Sequence, residues 1–285
     1  MSPSPRDLCD GVLQRQPNAI AAALALVEDV RPEKLEDQSE LLELLLSQTP
    51  KEHTVTGITG PPGAGKSTLC GALIRLWVDD KLGVGMVAVD PSSRRSGGAL
   101  LGDRARLRFS PDEPVFVRSM AARDQLGGLA PATRAAAVVL RAAFEWTLIE
   151  TVGVGQSEVD VSTVADSVVL VLQPGSGDSL QFMKAGILEI PDILVVHKWD
   201  LGALAERTRA DLESMLRAGA VPSRGEWSPK LLGVSSESGE GVPELRSVLA
   251  EHRQYLNESG RLEECREEQR VAWALELFQG CLLYT

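Results

Sequence analysis

"GITGPPGAGKSTL", residues 57–69, is the stretch on which the fold turns. It contains the pattern G-x-x-x-x-G-K-S between Gly60 and Ser67. Glycines at this spacing let backbone N–H groups close around phosphate oxygens with no Cβ in the way. In that reading Gly60, Pro61, Pro62, Gly63, Ala64 and Gly65 form a cradle, and Lys66 reaches the β- and γ-phosphates. The Ser67 hydroxyl can ligate Mg²⁺. Thr68 continues into a helix whose positive N-terminal end faces the anion. The competing reading is a Gly-rich turn with no ligand. Context separates the two: the run "VTGIT" (55–59) precedes the loop as a strand, and an apolar helical stretch follows it over 66–79.

Outward from the loop, short β-rich runs alternate with helical stretches. The expected strands are 55–59, 84–90, 115–118, 147–150, 167–173, 192–196 and 230–235, with helices at 66–79, 131–144, 179–188 and 203–218. Apolar strands separated by helices imply a mostly parallel, doubly wound α/β sheet covered on both faces, with ligands at the carboxyl ends of the strands. Residues 1–50 read as a helical N-terminal extension. Ile20, Leu24 and Val27 recur at helical spacing, and Ser39 is an expected N-cap for "SELLELLLSQ". Residues 51–250 form the P-loop domain, and 251–285 return to helix. There Val271, Leu275, Phe278 and Leu282 make an apolar stripe that either packs on the sheet or serves as a subunit-contact arm.

Composition narrows the class. The 285 residues are 44% hydrophobic but only 4% aromatic, so the core rests on Leu, Val, Ile and Ala. A formal net charge of −11 argues against a nucleic-acid footprint. Cys9, Cys70, Cys265 and Cys281 lie far apart, which speaks against a zinc knuckle or a disulfide framework. No apolar run approaches the ~20 residues that span a bilayer, and the start has no apolar signal core. The expectation is a soluble, cytoplasmic protein without membrane or nucleic-acid partners.

Two strand ends carry the remaining chemistry. Glu150 closes "TLIE" where a P-loop protein needs a carboxylate to hold Mg²⁺ through water, and the Gly153 N–H is then placed to sense a γ-phosphate. Asp90 ends another strand at the same edge, and Asp103 follows in a Gly-rich loop; a cap or solvent contact is the alternative for each Asp. The second end is "LVVHKWDLG" (194–202), where a guanine reader would have Asn-Lys-x-Asp. Asp200 can accept both N1–H and the exocyclic N2–H₂ of guanine, a pattern adenine does not offer. Lys198 can lay its stem along the base or ribose. His197 replaces an Asn that donates toward the purine and ties neighbouring loops together; one ring N–H could serve, although the ring is larger. "VSSESGEG" (234–241) supplies a second base-contacting loop, where the Ser235 or Ser236 backbone N–H would meet guanine O6. GTP is expected over ATP.

Together with this loop, "VAVDPSSRRSGGALLGDRARL" (87–107), "IETVGVGQSEVDV" (149–161) and "VLQPGSGDSLQFMKAGILEI" (171–190) resemble the methylmalonyl-CoA-mutase-associated GTPases, the group known as MeaB, MMAA and ArgK and once described as lysine/arginine/ornithine transport ATPases. The resemblance runs over most of the chain. It implies a GTPase chaperone of a B12-dependent acyl-CoA mutase that gates adenosylcobalamin loading and protects the mutase, with an adenosyltransferase as a further candidate partner. It also implies a homodimer built partly by C-terminal helices, and it assigns Asp90 and Asp103 to the magnesium and switch region. Within 174–184 it implies a third switch segment, to which Asp178 and Lys184 are carried over; Asp178 as a helix cap fits the local chemistry equally well. Family members continue beyond "GCLLYT", which implies a shortened arm or a truncated chain.

Catalysis is less visible. A water-orienting Gln four residues past the magnesium carboxylate would fall at Val154, and Gln156 lies two positions further. Arg94, Arg95, Arg104 and Arg106 could neutralise transferring charge or form a solvated loop. The expectation is a slow GTPase that waits for a partner. Three other functions compete on the same residues: a small-molecule kinase, a nickel-insertion GTPase, and a non-hydrolysing scaffold. The kinase would need a lid, and the nickel GTPase would need clustered His or Cys.

Overall fold

The computed structural model describes residues 3–91, 109–110, 112–122, 131–151, 157–175, 187–219 and 221–283. Seven strands form one sheet: β1 Thr54–Thr59, β2 Val84–Pro91, β3 Val115–Ala122, β4 Trp146–Glu150, β5 Ser167–Leu172, β6 Ile193–His197 and β7 Lys230–Val234. Their order is β3-β2-β4-β1-β5-β6-β7, and every pairing is parallel. All seven expected strands are present; β3 runs four residues further than its apolar core suggested, because β2 pairs with it through Pro91↔Ala122.

The helices are α1 Pro5–Leu13, α2 Pro17–Val27, α3 Leu35–Gln48, α4 Lys66–Asp79, α5 Pro131–Ala143, α6 Ser157–Asp160, α7 Ala203–Arg217, α8 Val242–Glu258 and α9 Arg261–Leu283. Successive strand side chains point to opposite faces, and the two faces are covered differently. On one face Val55, Val87, Val89, Ile149 and Val168 pack beneath α1, α2, α3 and α5. On the other, Ile58, Met86, Ala88, Leu148 and Val169 meet α4 and α8, where Trp77 stacks on Trp146 with ring centroids 4.6 Å apart. The N-terminal helices therefore share the core of the sheet. Ser4 starts α1 with a capping box: its hydroxyl accepts the Asp7 N–H, and the Asp7 carboxylate accepts the Ser4 N–H.

Two sequence expectations change. Ser39 lies inside α3 and caps nothing: the helix starts at Leu35 because the 3₁₀ turn Pro32–Lys34 leads directly into it. Most of the helix expected at 179–188 lies outside the described residues; Ile187–Glu189 is a 3₁₀ turn. In α9 the docked face is formed by Leu262, Arg266 and Trp273, whereas Val271 and Leu275 of the apolar stripe are 51% and 56% exposed. The side chains of Phe278 and Leu282 lie outside the described residues. One helix, α8, runs through residue 250.

The amino edge of the sheet is held by a device used twice. Asp166, just before β5, donates its N–H to Val55 O, and its carboxylate accepts the Val55 N–H at 2.8 Å. Asp192, just before β6, does the same to Val168, whose N–H it accepts at 2.8 Å. Each pair closes a ring that fixes the register of adjacent strands. Arg266 then grips the Asp166 carboxylate with two N–H groups, at 2.9 and 3.0 Å, and donates to His53 O at 2.7 Å. The start of β1 is thereby tied to α9.

Candidate functional site at the carboxyl edge of the sheet

β1 ends at Thr59 and the chain turns through Gly60, Gly63 and Gly65, with φ of 140°, 76° and 92°. Two of these glycines are enforced by their neighbours as well as by φ. A Cβ on Gly60 would stand 2.0 Å from Val171 O, and one on Gly65 would stand 2.4 Å from His197 Nδ1. The loop opens into α4 at Lys66. The Lys66 ammonium is buried and donates to Gly60 O at 2.7 Å and Pro61 O at 3.1 Å. Pro61 and Ala64 are buried, whereas Pro62, Gly63 and Thr68 are exposed.

One residue further along α4, Ser67 Oγ donates to Glu150 Oε1 at 2.5 Å. Glu150 ends β4, the strand paired directly with β1, so parallel pairing brings the hydroxyl and the buried carboxylate together. Thr151 donates to the Thr59 hydroxyl at 3.1 Å across the same strand ends. A hydroxyl and a carboxylate are the hard oxygen donors that Mg²⁺ takes, directly or through its water shell. On the other side of β4, Ala88 pairs with Glu150, so the backbone of Asp90 ends β2 at the same edge. Asp103, Gly153, Gln156, Asp178 and Lys184 lie outside the described residues, as do Arg94, Arg95, Arg104 and Arg106.

The far side of the loop is bounded by the end of β6. His197 is buried, and both ring nitrogens are engaged: Nδ1 with Ala64 O at 2.7 Å and Nε2 with Ser236 Oγ at 2.7 Å. A carbonyl oxygen can only accept, so Nδ1 carries the proton; in the neutral ring Nε2 then accepts from the Ser236 hydroxyl. Burial lowers the His197 pKa, only partly opposed by the bond to Ala64 O, which keeps the ring neutral at pH 7. His197 therefore links the phosphate loop to the loop after β7.

Lys198 takes the left-handed conformation, φ 55° and ψ 47°, uncommon for a residue with a Cβ. Its ammonium donates to Gly63 O at 2.9 Å and to Gln173 Oε1 at 2.8 Å. Asp200 is exposed, and its Oδ1 accepts from the buried Ser235 hydroxyl at 2.5 Å. That hydroxyl lowers the Asp200 pKa, which keeps the carboxylate ionised and acceptor-only. The fold thus brings together Gly60 to Thr68, Glu150, His197, Lys198, Asp200, Ser235 and Ser236 along one edge. Gln173, Thr59 and Thr151 were missed. Gln173 ended an apolar strand run, and a polar side chain at a strand end was the available signal.

A family model described as "Methylmalonyl Co-A mutase-associated GTPase MeaB" matches residues 20–284. A Pyrococcus horikoshii protein is 44% identical over 259 residues, covering 87% of this chain and 77% of its own length. The mouse mitochondrial homologue of the methylmalonic aciduria type A protein is 35% identical over 290 residues, covering 97% of this chain and 69% of its own. Among solved structures, a LAO/AO transport system kinase superimposes with a TM-score of 0.79 at 27% identity, covering 98% of this chain and 84% of that one.

Proposed function

We propose, from the premise that the chain belongs to the MeaB family of methylmalonyl-CoA mutase-associated GTPases, that it is a GTP-hydrolysing chaperone of a B12-dependent acyl-CoA mutase. In this reading it gates adenosylcobalamin loading and protects the mutase, acts in the cytoplasm, and has the adenosyltransferase as a second partner. The observation that supports a guanine nucleotide is the continuous set of contacts from Ser67–Glu150, through the loop, to His197, Ser236 and Asp200. One end offers a phosphate cradle and hard oxygen donors. The other offers an ionised carboxylate for N1–H and N2–H₂.

The chain's own residues then divide the work. Lys66 exchanges the Gly60 and Pro61 carbonyls for the β- and γ-phosphate oxygens. Ser67 would ligate Mg²⁺ directly, and Glu150 would hold its water shell, with Asp90 and Asp103 contributing from the switch side. Mg²⁺ held there by Ser67 and Glu150 would supply positive charge against the phosphate oxygens. The Gly153 N–H senses the γ-phosphate, and Gln156 orients the attacking water. Lys198 braces the loop through Gly63 O while its stem lines the base or ribose. His197 fills the loop-tying half of the Asn role and spends both nitrogens on it, which leaves base discrimination to Asp200 and to the Ser235 and Ser236 backbone N–H groups. Residues 1–50 and 251–285 serve as extensions of the 51–250 domain, and the exposed face of α9 at Val271 and Leu275 would contribute to a homodimer. Among the described residues no helix is long and apolar enough to cross a membrane.

The test is phosphate release from GTP with and without the cognate B12 mutase, beside calorimetry of GDP and ADP. GDP should bind at least ~1.4 kcal/mol (tenfold) better than ADP. The mutase should raise turnover by on the order of ten- to a thousandfold, and Asp178→Ala or Lys184→Ala should remove that stimulation. Equal GDP and ADP affinity would make His197 to Asp200 a structural strand end. A mutase without effect would remove the chaperone role and leave a free-standing GTPase.

A further inference from the structure

At the start of β1, away from the phosphate loop, lies a cavity of about 60 Å³ walled by α5, Val55 and α9. Four of its lining residues are Arg134, Arg141, Arg266 and Arg270, and none of the described lining residues is acidic. In a chain of net charge −11 this is a local inversion of sign. Guanidinium groups stay protonated, and a buried charge costs free energy unless a counter-charge reaches it. Arg266 has Asp166, and Arg270 pairs with Glu267 on the surface.

Arg141 is less well served. Its Nε is buried and has no acceptor among the described residues. The acidic groups acting on it are Asp166, already held by Arg266, the Val55 N–H and the Thr54 hydroxyl, and Glu263, ion-paired with Lys51 at the surface. Burial, then the neighbouring Arg266, pulls the Arg141 pKa down to about 10, which still leaves it charged at neutral pH. In the opposite wall the Trp273 indole N–H is likewise buried with no acceptor among the described residues. The two residues that carry these buried donors thus line one cavity that carries excess positive charge.

We propose that this cavity is a binding site for a small oxoanion of phosphate's size, with Arg141 and the Trp273 N–H as its direct donors and the other guanidiniums supplying the field. The volume would hold on the order of four waters, and a tetrahedral oxoanion needs similar space. Water could satisfy the donors but not the charge; an oxoanion does both. The site is distinct from the phosphate loop: Val55 and Gly60 lie at opposite ends of β1, roughly 16 Å apart along the strand. Because α5, β1 and α9 all contribute walls, the anion would fasten the C-terminal helix to the base of the sheet.

The test is calorimetric titration of inorganic phosphate at constant ionic strength, against chloride as reference, into the full chain carrying Lys66→Ala to disable the phosphate loop. One equivalent should bind saturably, and adding Arg141→Met should weaken it at least tenfold. Phenyl phosphate distinguishes sources: weaker binding than phosphate identifies the free ion, and equal binding identifies a phosphate ester, either being the proposed chemistry. No saturable uptake, or affinity unchanged by Arg141→Met, would overturn the site. If Arg141→Met does not fold, Trp273→Phe and Arg270→Gln should each weaken uptake several-fold, and unchanged affinity in both would overturn it.

Discussion

The two edges of this sheet handle charge in opposite ways. At the amino edge Asp166 and Asp192 are buried, each locked to the backbone of a neighbouring strand, and Arg266 completes the first with further bonds. At the carboxyl edge the charged groups sit on loops and hold one another: Lys66 turns onto its own loop, Lys198 reaches across to Gly63, and Ser67 leans on Glu150. The first arrangement satisfies its two carboxylates entirely within the protein. The second consists of contacts that a nucleotide can replace group for group. Strand-locking carboxylates and loop-borne contacts that a nucleotide could replace thus lie at opposite ends of the same strands.

The largest expected effect tests the carboxyl edge. Lys66→Ala should lower GTP turnover by on the order of 10²- to 10³-fold or more, the scale of losing one directed charge donor. Thermal stability should change little, since the amine's bonds to Gly60 O and Pro61 O lie within its own loop. Wild-type phosphate release from this variant would remove the site. At the other edge Arg266→Met should cost about 3–5 kcal/mol by denaturant titration, because it strands the buried Asp166 carboxylate. Turnover per folded molecule should be retained; its loss would show that the two edges are not separable.

A subtler test uses pH. Burial pushes the Asp192 pKa up to about 6 from 3.8, against the Arg224 charge and the Val168 N–H, and pushes the His252 pKa down to about 4 from 6.5. A raised carboxyl pKa gives stability that is fully present below pH 3.8 and lost as pH rises to about 6. A lowered His pKa gives stability present above pH 6.5 and lost as pH falls to about 4. The two groups lie 3.7 Å apart, and in the native chain their slopes nearly cancel between pH 4 and 6. His252→Gln should expose a stability that falls with rising pH, and Asp192→Asn one that falls with falling pH, each by at most about 1.4 kcal/mol per pH unit. Slopes of the same sign in both variants would break this account. The smallest effect concerns His197. His197→Ala should weaken GDP binding by up to about tenfold, roughly 1.4 kcal/mol, while leaving the GDP-over-ADP ratio intact. A collapse of that ratio would mean that the ring reads the base.

The architecture was legible because short β-branched and apolar runs alternate with helical stretches, and the turn after β1 is marked by glycines. That the loop, Ser67, Glu150 and Asp200 meet at one edge was readable because each stands at a strand end or helix start that the local pattern marks. What His197 does was half-legible. Its place in the pattern suggested loop-tying, but only the fold reveals that Gly65 must lack a side chain for the ring to fit. Ser39 misled because a local cap preference was overridden by a preceding turn. The Asp166–Arg266 clamp left no readable trace, since its partners are a hundred residues apart and neither belongs to a local motif.

Strand β1 stands at the centre of the sheet, between β4 and β5, with Thr54 opposite Trp146 and Thr56 opposite Ser167. Its neighbours are therefore made long after it during synthesis. Until they emerge, β1 and the glycine loop after it have no neighbouring strand, and pairing must then close loops of great length. Such a chain should fold slowly and late, with its central strand waiting on the ribosome, and should depend on general folding factors more than its modest size suggests.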